Sequence, residues 1–203
     1  SFSTTADNQS SVAITDNITV TFSETMDNNS ITTNTDNSSC YGTLRVSSDN
    51  FSNCVQMASS PLTNDNKTFT LDPSDNLTSG KAYLTRVTTG VKDTAGYAMS
   101  SQYDNSTGFT TASFQPQTKA ELQTALALWG SDNSAALSTY GEINTWDVSL
   151  ITDMSSLFSG NGTFNDDIGN WDVSNVTNFD SMFFSAGSFN NNSLDNWDVS
   201  SAT

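Results

Sequence analysis

The chain has no histidine among its 203 residues. Histidine is the usual general base beside serine and cysteine nucleophiles and a common zinc ligand, so its absence removes those catalytic and metal-binding sets. Gly-rich phosphate-binding loops are missing as well. We therefore expect a protein that is not an enzyme and that needs no cofactor.

Positive charge is scarce and confined to the first part of the chain. Residues 1–119 hold all six Lys and Arg together with eleven acids, a net charge of −5, whereas residues 120–203 hold eleven acids and no Lys or Arg, a net charge of −11. Such a surface repels phosphate backbones and anionic lipids, so we do not expect nucleic acid or membrane partners. No apolar run approaches membrane-spanning length. Divalent cations, cationic partners and neutral glycans stay open.

Cysteine is also rare, with only Cys40 and Cys54. A bridge between them would close a loop of about 15 residues and stabilise the fold by about 3 kcal/mol in the chain-entropy model. It would also fit an oxidising, extracellular setting. The alternative is a pair of free buried thiols.

Apolar and polar residues alternate in the first part of the chain, around residues 18–22, 44–46, 69–71 and 83–87. This period of two predicts half-buried strands, and turn-forming clusters of Asn, Asp, Gly and Pro separate them. Short strands at this spacing over about 110 residues favour an immunoglobulin-like (Ig-like) sandwich.

Four segments carry a family resemblance: Ile18–Met26 (ITVTFSETM), Leu77–Tyr83 (LTSGKAY), Val91–Gly96 (VKDTAG) and Gly108–Thr111 (GFTT). Together they resemble the bacterial Ig-like domain found in S-layer and other surface proteins. The resemblance implies a spacer or stalk module without catalytic residues, and we place this domain at residues 1–112.

A linker at residues 113–119 and a helix are predicted next. Thr118 and Glu121 have the spacing of a capping box, and Gly130 is placed to end the helix. One face of this helix is apolar: Leu122, Ala125, Leu126 and Trp129. We expect the helix to cap the repeats that follow, because a repeat array needs its first copy covered.

The sequence Trp-Asp-Val-Ser occurs three times, at residues 146–149, 171–174 and 197–200. A period of this size indicates a stacked solenoid. In each copy the apolar spacing predicts a short helix, and a short extended stretch before the next Trp predicts a strand. Because Thr203 closely follows the third Trp-Asp-Val-Ser, we expect an open solenoid edge there.

The repeats resemble the bacterial surface-protein repeat of about 26 residues, a BspA-like and leucine-rich-repeat-like family, over residues 118–203. The resemblance implies cell-surface proteins associated with adhesion or host contact. We place the helical cap and repeats at residues 120–203.

Asp147, Asp172 and Asp198 recur at one position of the repeat. Two interpretations are open: each carboxylate caps a backbone turn, or the row binds Ca²⁺, which prefers oxygen ligands. Asp166 and Asp167 are a poor glycosidase pair, because neighbours on a strand point to opposite faces. Their equivalents in the next copy are Asn191 and Asn192.

The recurring aromatic residues are predicted to form the repeat core: Trp146, Trp171, Trp197, Phe158, Phe183, Phe164 and Phe189. The alternative for the three Trp residues is an exposed strip that stacks on sugars. Phe184 stands where the first copy has Ser159, and it is the candidate exposed interaction residue.

These observations predict a mostly β protein with short helices, in which an Ig-like β-sandwich precedes a helix-capped, leucine-rich-repeat-like solenoid. We expect a non-enzymatic, extracellular structural or adhesion protein of a bacterial cell surface. Its partners would be a protein or glycan on another surface, or further copies bound through the open solenoid end. The alternatives are a subunit of an extracellular filament or surface layer, and a carbohydrate-binding module.

Overall fold

A computed structural model describes residues 2–4, 8–36, 39–190 and 192–203 of the chain. The chain divides into two compact units. The first consists of Ser1–Leu77 and Lys81–Ala112, and the second of Thr78–Gly80 and Ser113–Thr203.

The first unit contains two antiparallel sheets. Its strands, in chain order, are β1 (Phe2–Thr4), β2 (Ile18–Phe22), β3 (Leu44–Ser47), β4 (Thr68–Leu71), β5 (Ala82–Val87), β6 (Tyr103–Asp104) and β7 (Phe109–Thr110). In one sheet β2 lies between β1 and β4, and in the other β5 pairs with β3, β6 and β7. The four strands predicted from alternation are confirmed, while β1 and β6 were not predicted.

Alternation along the strands builds the core of this unit. On β2, Ile18, Val20 and Phe22 are buried, and the threonines between them lie on the other face. The ring of Phe22 meets that of Phe69 edge to face, with centroids 5.9 Å apart. One continuous apolar cluster therefore draws on residues of both sheets, as in a sandwich.

Cys40 and Cys54 form a disulfide, with Cα atoms 4.8 Å apart, which confirms the bridge rather than the free thiols. The loop between them carries Phe51, which is buried and has a positive φ of 63°. The guanidinium of Arg86 lies 3.9 Å from the centre of the Phe51 ring. Two hydrogen bonds from Arg86 to the Asp104 carboxylate, 2.6 and 2.8 Å long, hold that guanidinium in place.

The second unit begins with two helices, α1 (Lys119–Ser131) and α2 (Asn133–Tyr140). The Thr118 hydroxyl accepts the Glu121 N–H at 3.2 Å, as the capping-box spacing predicts. The helix does not end at Gly130, as predicted, but continues to Ser131. Helix α2 was not predicted, and it starts where the Asp132 carboxylate accepts the Ala135 N–H.

The stretch before α1 differs from the predicted linker at 113–119. Residues 113–118 group with the second unit, and Lys119 is already helical. The ring of Phe114 lies 4.4 Å from Tyr140 and 5.3 Å from Trp146, centre to centre. This aromatic contact makes the segment part of the packed unit.

The repeats do not contain the predicted helix and strand. The described residues of 146–203 form turns and one short 3₁₀ segment, Asn192–Asn196, and among them there is no α-helix and no strand longer than a single bridge residue. Ser156 and Ser181 occupy the same position in the two copies, and both have positive φ, 55° and 54°. A positive φ interrupts a right-handed helix, so the predicted helices are wrong.

Candidate interaction surface in the repeats

Backbone hydrogen bonds join the first copy (residues 143–167) to the second (residues 168–193). The N–H groups of Met154, Ser156, Phe158 and Gly160 donate to carbonyls 24 residues further along, at 2.8–2.9 Å. In the other direction, the Thr177 N–H donates to Thr152 O at 2.8 Å. Asp153 and Asn178 form a parallel bridge. The two copies are therefore in register along their backbones, and the third begins the same way, with Thr203 N–H donating to Thr177 O.

The recurring aromatic residues form columns that run from copy to copy. Ring centres are 6.3 Å apart for Trp146 and Trp171, 5.4 Å for Phe158 and Phe183, and 5.8 Å for Phe164 and Phe189, and each pair is stacked. The first member of each pair is buried, whereas Phe183, Phe189 and Trp197 are half-buried. Trp146 and Trp171 are each only 2% exposed, so neither offers a ring face for stacking on sugars.

The indole N–H of each repeated Trp is satisfied by a backbone carbonyl. The Trp171 indole donates to Ile143 O at 2.8 Å, and the Trp197 indole donates to Ile168 O at 3.1 Å. The donor thus reaches the carbonyl that lies 28 or 29 residues earlier. A buried Trp needs such a partner, so the repeated Trp links copies as well as filling the core.

The repeated Asp caps a local turn in each copy. Oδ1 of Asp147, Asp172 and Asp198 accepts the backbone N–H two residues later, at 3.0–3.1 Å. The Ser174 hydroxyl and N–H lower the pKa of Asp172, against a smaller opposing effect of the Asp198 charge. Among the described residues, no cluster of three Asp, Glu or Cys side chains is arranged to hold a metal ion.

Asp166 and Asp167 point to different partners. Asp166 Oδ2 accepts the Trp129 indole N–H at 3.0 Å. Asp167 accepts the Gly169 N–H and the Asn144 side-chain N–H, both at 2.9 Å. Of their equivalents in the second copy, Asn191 lies outside the described residues. The two carboxylates act as structural acceptors here.

Repeated asparagines also link the copies, a role that was not predicted for them. Asn144 Oδ1 accepts the Asn170 N–H at 2.9 Å, and Asn165 Oδ1 accepts the Asn190 N–H at 2.8 Å. The Asn175 side chain donates to Ser149 O at 2.9 Å. The signal was present, because Asn precedes Trp171 and Trp197 directly and follows Phe164 and Phe189 directly.

Helix α1 covers the side of the first copy that faces away from the second. Trp146 lies between Trp129 of α1, whose ring centre is 5.8 Å away, and Trp171 of the second copy. Lys119 donates to Asp153 at 3.1 Å and to Ser155 at 2.7 Å. The Ser155 N–H, then its hydroxyl and the Lys119 ammonium, lower the pKa of Asp153 to about 2.

The far side of the second copy is the terminal edge, which we define as Phe179, Ser181, Phe183, Phe184 and Ser185. Within the described part of the chain, the N–H groups of 179, 181, 183 and 185 have no backbone acceptor, although their counterparts in the first copy do. Phe184 is 68% exposed. This edge therefore combines free donors with an exposed ring.

No helix within the described ranges has both the length and the apolar character needed to cross a membrane.

Comparison with solved structures finds S-layer proteins. The N-terminal part of the bacterial S-layer protein SbsC matches with 20% identity and a TM-score of 0.38, over 52% of this chain and 22% of that one. A structure of SbsC domains 1–6 matches with 22% identity and a TM-score of 0.37, over 51% of this chain and 13% of that one. This chain thus spans about a fifth or less of their length, and TM-scores below 0.5 add no weight to fold or function. No curated protein matches significantly.

Two family profiles match the chain. Residues 130–203 match a family described as a Mycoplasma protein of unknown function, rather than the BspA-like repeat family that the sequence resemblance named. Residues 1–111 match the bacterial Ig-like domain, as the strand motifs predicted. Because this second match spans more than half of the sequence, the chain belongs to the bacterial Ig-like domain family.

Proposed function

We propose that the chain is a structural protein of a bacterial cell surface. Its Ig-like unit acts as a spacer, and its stacked copies form a solenoid that presents a binding surface. The backbone ladder between copies, from Met154 to Gly160, carries this proposal. It supports a solenoid because the backbone groups of one copy are satisfied by its neighbour, which is how repeat arrays are stabilised.

An extracellular location is supported by the Cys40–Cys54 disulfide, since such bonds persist in oxidising compartments. The bacterial Ig-like family match agrees with this location. A net charge of −16 favours solubility outside the cell and opposes binding to anionic surfaces. A cationic or neutral partner is therefore the better fit.

We also propose that the chain has no enzymatic activity. The repeated acids accept hydrogen bonds from backbone turns, a structural use of carboxylates. The sequence supplies no His to serve as a base. Adhesion through the solenoid would therefore be a binding role that requires no catalytic residue.

The terminal edge is the candidate adhesive surface. We expect Phe184→Ser to lower the binding of labelled chain to intact bacterial cells several-fold, because an exposed aromatic anchor is lost. Tyr97→Ser is the matched control, since Tyr97 is an exposed aromatic residue of the first unit, 77% exposed. Equal binding by both variants and the unaltered chain would count against this surface.

Self-association is the second candidate, favoured by the unpaired donors of the terminal edge. Exposed edges template pairing with another chain. The contact we propose joins this edge of one chain to the same edge of a second chain. Acidic residues oppose that contact, so a dimer should strengthen with salt. Sedimentation that finds a monomer at both low and high salt would contradict it.

A further inference from the structure

A groove in the second unit has no lining residue in common with the terminal edge. It runs between α1 and the first copy and has a volume of about 820 Å³. Sites for small molecules typically measure about 300–1,000 Å³. The groove is thus large enough to hold a ligand.

One wall of the groove is apolar. Leu126 of α1 and Leu157 of the first copy are half-buried there. Trp129 also lines it, and its indole N–H donates to the lining carboxylate of Asp166 at 3.0 Å. That bond fixes the indole and one carboxylate oxygen relative to each other.

The rim of the groove carries unused polar groups. Gln123, Asn133 and Ser159 are exposed and line it. Within the described ranges, none of these three side chains makes a hydrogen bond. An amide or a hydroxyl both donates and accepts, so the rim offers paired donors and acceptors at several points.

The charge of the groove restricts what fits. Its lining contains no Lys or Arg, and Lys119, the sole cation after residue 112, is engaged with Asp153 and Ser155. An anionic ligand would therefore find no counter-charge. A cationic peptide would favour a lining dominated by carboxylates, whereas neutral amide and hydroxyl groups outnumber Glu142 and Asp166 here.

We propose that this groove binds a neutral saccharide. Sugar hydroxyls donate and accept at once and so match the rim, while the C–H face of a sugar ring matches the apolar wall. This inference goes beyond the proposed function, because it does not require the terminal edge.

Titration calorimetry of the full chain against a panel of neutral oligosaccharides tests the proposal. We expect saturable binding at one site, and a Kd at least tenfold weaker in the double variant Gln123→Ala/Asn133→Ala, which removes two ligand hydrogen bonds. The matched control is Gln9→Ala, an exposed glutamine of the first unit, which should leave the Kd unchanged. Phe184→Ser should also leave it unchanged, which separates this site from the terminal edge.

Three results would overturn the proposal. The first two are the absence of binding to any member of the neutral panel and binding that the double variant does not weaken. A third is binding of oligolysine that Asp166→Asn weakens and salt abolishes, since that would assign the groove to a cationic peptide.

Discussion

Because the buried indole of Trp171 links two copies, we expect Trp171→Phe to destabilise the second unit. The substitution removes the indole donor to Ile143 O, which then keeps only the longer bond from the Trp146 N–H at 3.3 Å, and the lost bond costs about 0.5–1.5 kcal/mol. It also weakens the stacking against Trp146, a loss of about 0.5–1.5 kcal/mol. We expect the free energy of unfolding of the second unit to fall by about 1–3 kcal/mol in total.

Trp197→Phe is the matched control, because the same substitution removes the same kind of bond at a half-buried position. The Ile168 carbonyl keeps the bond from the Trp171 N–H at 3.1 Å, so we expect a loss of only about 1 kcal/mol.

Urea unfolding followed by Trp fluorescence is the assay. All four Trp residues lie in the second unit, so the signal reports that unit alone. The Trp171 variant should lower the urea midpoint by about 1–2 M. Equal losses in the two variants, or a loss below about 0.5 kcal/mol for Trp171→Phe, would refute the idea that the buried indole links the copies.

Three further predictions concern the bridge, the cap contact and the repeated Asp. Removing the Cys40–Cys54 disulfide by double Ser substitution should lower the stability of the first unit by about 3 kcal/mol, measured by circular dichroism, while the Trp fluorescence transition stays unchanged. Because the folded pKa of Asp153 is lowered to about 2, its contribution to stability is present above its unfolded pKa of 3.8 and is lost as pH falls through about 2. Asp153→Asn should therefore destabilise the second unit more at pH 5 than at pH 2.5. Asp172→Ala should cost about 1 kcal/mol through the lost turn cap, and calcium added to chelated protein should leave the melting temperature unchanged; a rise would support the calcium row instead.

Strand β2 and the start of helix α1 were predicted correctly from the sequence. Strand β2 could be predicted because its alternation places three apolar residues on one face. The start of α1 could be predicted because Thr118 and Glu121 have the capping-box spacing, and the Thr118 hydroxyl accepts the Glu121 N–H. Both signals are contained within a few residues of chain.

The helix and the strand predicted in each repeat are absent, and the cause is physical. The apolar spacing from Ile151 to Phe158 also suits a series of turns whose apolar side chains pack inward. The positive φ of the serine in each copy cannot be inferred from the residues around it. Backbone pairing 24 residues away, as from Met154 to Asn178, then replaces helical hydrogen bonds. Helix α2 was missed because it buries only Ala136, which leaves little periodicity to detect.

Amide hydrogen exchange tests the central claim, the stacking of copies, most directly. Met154, Ser156, Phe158 and Gly160 donate across the ladder, whereas their counterparts Phe179, Ser181, Phe183 and Ser185 lie on the terminal edge. Each pair occupies one position of the repeat, so local sequence effects largely cancel. We predict strong protection for the first set and fast exchange for the second. Equal protection of the two sets, or fast exchange of both, would contradict a stacked array.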